Sequence, residues 1–68
     1  MNEKTYKVSA PIGSIVIPKE QMTEKELREF VVQLIQDPQE SETWREKAEK
    51  DPIGSVVEWL ENNGYSIN

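Results

Sequence analysis

The chain has 68 residues, 31% of them charged, and thirteen carboxylates against eight cations give a net charge of −5. That length allows one domain, which buries only about 60% of its unfolded surface. Cysteine and histidine are both absent, which excludes disulfides, thiolate or imidazole metal sites and the usual general base.

Small domains of this size often gain stability from disulfides, a metal or a second subunit. Two routes remain here: good helix packing, or association with a copy (a homodimer) or with a partner. The acidic balance repels bare phosphate backbones, so no nucleic acid is expected as a partner. A basic protein partner fits better. No secretory pattern of a charged segment and an apolar run opens the sequence, and no apolar stretch is long enough to cross a bilayer. The cytoplasm is therefore the expected compartment, with no membrane partner.

Residues 1–18 differ from the rest. Tyr6, Val8, Ile12, Ile15, Val16 and Ile17 are aromatic or β-branched, and Pro11, Gly13 and Pro18 punctuate them. The composition predicts two short extended segments, about 5–9 and 14–17, joined by a turn at Pro11-Ile12-Gly13. They form either a hairpin or an extended arm that orders on a partner.

Helix signals begin at Thr23. Thr23 and Glu26 fit a capping box, and Met22 and Leu27 are placed for a hydrophobic staple. Leu27, Phe30, Val31, Leu34 and Ile35 recur at helical spacing, which predicts a helix over about 24–36. Val32 broadens this apolar face. Glu24–Arg28 and Lys25–Glu29 stand four apart, as ion pairs on its wet side would.

Asp37-Pro38-Gln39-Glu40 is a second start signal, with Asp37 as cap and Pro38 at the first helical position. The helix it opens, 38–50, is mostly charged. Trp44 and Ala48 are its apolar anchors, and Glu46–Lys50 is a favourable pair. Asp51-Pro52 repeats the signal. Ile53, Val56, Val57 and Leu60 then mark a third helix over 52–62, stopped by Asn63-Gly64-Tyr65 in a Schellman-like ending. The similarity of Pro11-Ile12-Gly13-Ser14-Ile15-Val16 to Pro52-Ile53-Gly54-Ser55-Val56-Val57 reads as coincidence, because the flanks differ.

Little here carries chemistry. Five serines have no histidine or cysteine beside them to act as base. The carboxylates from Glu40 to Asp51 read as a solvated face, with no calcium loop and no glycine-rich phosphate loop. The chain is expected not to be an enzyme, with no catalytic, cofactor or metal residues. Candidate binding residues are Ile15, Val16 and Ile17, as a short strand able to add to a sheet edge, and Trp59, which lies off the main stripe of its helix.

The pattern Thr23-x-x-x-Leu27-x-x-Phe30, Asp37-Pro38, a charged helix, then Leu60-x-x-x-Gly64-Tyr65-x-Ile67 resembles the nitrogen-fixation-type helical leader domain of ribosomal peptide precursors. The resemblance covers residues 23–68. It implies a helical domain recognised by a peptide-modifying enzyme, often through a small winged-helix domain, and it carries over no catalytic residue. The arm at 1–18 is not part of that pattern, and no Gly-Gly or Gly-Ala cleavage site or Cys-, Ser- or Thr-rich core follows. The resemblance thus implies a leader without its core, or a stand-alone relative that keeps the docking function.

The expected fold is mainly α: one domain, 1–68, with a three-helix bundle at 19–68 and an N-terminal β-hairpin or extended arm at 1–18. The expected core is Leu27, Phe30, Val31, Leu34, Ile35, Trp44, Ala48, Ile53, Val56, Val57, Leu60 and Tyr65, with Val8, Ile15 and Ile17 from the arm. The expected function is that of a small acidic protein-binding domain, an adaptor or inhibitor. Alternatives are a leader-like domain docking on a peptide-modifying enzyme, or an antitoxin or immunity-type protein.

Overall fold

Three local start signals determine where the helices begin in the computed structural model, which describes residues 4–68. Helix α1 spans Glu24–Leu34, α2 spans Pro38–Lys50 and α3 spans Pro52–Asn62. At α1 the Thr23 hydroxyl accepts from the Glu26 amide at 3.3 Å, and the Thr23 amide donates to the Glu26 carboxylate at 3.0 Å. Met22 and Leu27, on either side of this box, are both buried and form its hydrophobic staple. Asp37 caps α2 by accepting from the Gln39 amide, and Asp51 caps α3 by accepting from the Gly54 amide.

Helix α1 is two residues shorter than its apolar spacing predicts. Ile35 is already extended, at φ −76° and ψ 116°, although its amide still donates to the Val31 carbonyl. The cause lies just downstream. Asp37 must be extended both to cap α2 and to precede Pro38, so the chain leaves the helix early. Ile35 is buried all the same.

The end of α3 is a Schellman motif. Tyr65 donates to the Leu60 carbonyl at 2.9 Å and Gly64 to the Glu61 carbonyl at 3.3 Å. Gly64 takes φ +89°, the left-handed region that glycine enters without a Cβ penalty. The motif turns the chain so that the Tyr65 ring meets Phe30 edge-on, with centroids 5.9 Å apart.

The N-terminal segment is extended, and its hairpin-like pairing uses a different strand from the expected one. Strand β1 (Thr5–Tyr6) pairs antiparallel with β3 (Met22–Thr23), Thr5 opposite Thr23. Strand β2 (Val8–Ser9) pairs antiparallel with β4 (Ser66–Ile67), Val8 opposite Ile67. Residues 14–17 form no strand. The expected turn is present: Ser14 donates to the Pro11 carbonyl, and Gly13 takes φ +91° at the third turn position.

Helix α3 is the centre of the bundle and packs on both α1 and α2, whereas α1 and α2 meet only weakly. Leu27, Val31, Val56 and Leu60 are fully buried, joined by Met22, Phe30, Ile35, Trp44 and Ala48. Leu34, Ile53, Val57, Tyr65 and Val8 are half-buried. Ile15 and Ile17 do not enter the core; they are 96% and 72% exposed. Their neighbour Val16 turns inward in their place. The four-apart pairs expected on α1 and α2 are not among the ion pairs formed. Cations reach across elements instead, Lys19 to Glu26 and Lys47 to Glu58.

Candidate functional site: two hollows on either side of Trp44

Trp44 is the pivot of the surface as well as of α2. Its indole N–H donates to the Ser55 carbonyl of α3 at 3.3 Å, and the ring is buried. That bond explains how a helix with so few apolar residues stays attached. A hollow opens on each side of the ring, one between α1 and α2 and one between the start of α2 and Trp59 of α3.

The larger hollow, about 840 Å³, lies between α1 and α2. Phe30, Met22, Trp44 and Ala48 line it, and Val16, Ile17 and Pro18 contribute from the arm. Lys19, Lys25, Arg28 and Arg45 also line it, against Glu26, Glu29 and Glu49. Half of the chain's eight cations therefore face this groove, with three of the twelve carboxylates among the described residues. The Nε of Arg28 is buried and has no acceptor among the described residues. Glu26 is held down to a pKa of about 2, chiefly by its hydrogen bond from the Lys19 ammonium and then by the Thr23 amide.

The smaller hollow, about 450 Å³, has the opposite character. It is lined by Trp44 and Trp59, with Asp37, Glu40, Gln39 and Thr43 around them. No cation lines it. Trp59 is half-buried and packs against the core with part of its ring, which leaves the rest to the hollow. The Asn63 amide donates to the Trp59 carbonyl at 2.7 Å and steadies that turn.

The candidate binding residues thus fall in two places. Ile15, Val16 and Ile17 belong to the arm, with Val16 and Ile17 on the wall of the larger groove. Trp59 belongs to the smaller hollow. Asp37 and Glu40 were visible in the sequence only as capping residues. Their second position, beside two indoles, depends on how α2 crosses α3. No group of three potential metal-ligating side chains comes together among the described residues. No described helix is long and apolar enough to cross a membrane. Set against protein-family models, curated proteins and solved structures, the chain matches none of them.

Proposed function

We propose that this chain is a non-enzymatic protein-binding domain that docks on a basic partner and takes a lysine or arginine side chain of that partner between Trp44 and Trp59. The observation that carries the reading is the smaller hollow itself: two indole rings, two carboxylates and no cation. A cationic head over an indole face gains electrostatic energy from the ring, more so where a carboxylate stands beside it. The rest of the surface supports the encounter. Outside the larger groove, the described residues carry four cations and nine carboxylates, a field that draws in a basic surface and raises the rate of productive collision.

In this role the domain acts as an adaptor or as an inhibitor that covers a basic site. The leader-like form of the same reading, docking on a peptide-modifying enzyme, draws support from the resemblance over residues 23–68. The identity of the captured partner separates these forms.

A photo-crosslinker placed at Glu40, beside the hollow, tests the reading in cells that make the full chain. Capture of a basic protein from Glu40, but not from Glu61 on the far side of α3, is the expected result. Trp59→Leu, which keeps apolar packing, should cut capture at least tenfold while the circular dichroism of the helices stays the same. Equal capture from Glu61, or capture that ignores Trp59→Leu, would sink the idea.

A further inference from the structure

Most of the arm is free of charge, so a copy of this chain can approach it without repulsion. Residues 8–18 contain no charge at all, the longest such run in a chain that is otherwise 31% charged. Ile12, Ile15 and Ile17 project from this run at 107%, 96% and 72% exposure, the exposed large apolar side chains among the described residues. The backbone groups of Ile15, Val16 and Ile17 have no hydrogen-bond partners among those residues. Three exposed isoleucines in one uncharged loop are a patch that needs an occupant.

We propose that the occupant is a second copy of this chain, packed across a two-fold axis that runs beside the arm. A two-fold interface must complement itself, so one patch has to carry both a projection and a recess. This patch does: Ile15 and Ile17 project, and the groove between α1 and α2 opens directly beside them, with Ile17 in its wall. A two-fold rotation lays each arm into the other copy's groove. The groove's four cations and three carboxylates nearly cancel, while the rest of the described residues carry nine carboxylates against four cations on each copy. Charge therefore selects this face over every other for self-association.

The shape of the molecule agrees. It is flat, spanning 33 by 32 Å but 15 Å in its third direction, so it offers broad faces for a second copy to meet. Stable folds generally bury apolar surface between two layers. The helices already do this for the core, and a second copy does the same for the arm's isoleucines, adding the staple that a small chain without disulfides lacks. This association leaves the hollow at Trp59 to another partner, so it goes beyond the function proposed above.

Sedimentation equilibrium of the full chain is the test. The expected result is a dimer at micromolar concentration, converted to monomer by Ile15→Glu combined with Ile17→Glu, with helicity unchanged. The control, Gln36→Glu with Asn62→Asp, adds the same charge at exposed positions elsewhere and should remain a dimer. Because the chain has no cysteine, a lone Ile15→Cys gives a second readout that needs no destabilising charge. It should form a disulfide-linked dimer at least tenfold faster than Gln36→Cys under the same mild oxidation. A chain that stays monomeric up to millimolar concentration overturns the proposal. So does a dimer that survives the double glutamate variant, or oxidation at equal rates from both cysteine positions.

Discussion

Glu26 does two jobs. Its carboxylate closes the capping box of α1 and receives the Lys19 ammonium from the arm, and these contacts hold its pKa well below the ordinary 4.5. A carboxylate depressed on folding stabilises the native state above its unfolded pKa, and that contribution disappears as it is protonated in the fold. The window here runs from about 4.5 down to about 2. Urea melts should therefore show Glu26→Gln less stable than the parent at pH 7, with the gap closing as pH falls through that window. A gap of constant size down to pH 2 would mean that the ion pair contributes nothing.

Trp44 carries α2. The helix is otherwise charged, and the indole supplies both most of its buried area and its bond to the Ser55 carbonyl. Trp44→Ala should cost about 3–5 kcal/mol, as large aromatic truncations do. For a domain this small that approaches its whole stability. Trp44→Phe keeps much of the volume and should cost about 1 kcal/mol for the lost hydrogen bond, together with the smaller ring. Denaturation midpoints by circular dichroism decide both. This element also shows what could be read from the sequence. The starts at Thr23, Asp37 and Asp51 are local chemistry, a cap followed by proline or glutamate, so helix positions followed directly. Where α2 lies was not local, since it depends on the reach of one indole to another helix. Ile15 and Ile17 show the same limit in the arm. The β-branched composition marked that stretch as extended, but composition does not tell which side faces in, and Val16 took the inner side where Ile15 and Ile17 were expected. The strand partners were the least visible. Two-residue strands carry no periodic signal, and both partners of the N-terminal segment lie far along the chain.

The molecule as a whole is tied together by that segment. Residues 5–9 run between Met22–Thr23 on one side and Ser66–Ile67 on the other. The second pairing is extended by Lys7 and Asn68, which exchange hydrogen bonds at 3.4 and 2.9 Å. Removing residues 66–68 should speed exchange of the Lys7 amide by at least tenfold, with amides in the middle of α1 little changed, measured by proton exchange on the intact fold. Uniform acceleration across α1 would instead make the tail part of the global folding unit. The hollow beside Trp59 was not legible in the sequence. The tryptophan was visible as a residue off its stripe, but the acidic company it keeps comes from the crossing of α2 over α3.

The pairing of Val8 with Ile67 also sets an order in time. During synthesis the three helices can form as each emerges, because their caps and apolar stripes lie within a few residues of one another. The strand at 8–9 must wait for Ser66 and Ile67, made after all three helices. Such long-range closures are slow relative to local ones, so a nascent chain passes through an interval with its helices formed and the strand at 8–9 still unpaired. The backbone of Val8 and Ser9 is then an unpaired edge, open to unwanted pairing until its own partner strand arrives.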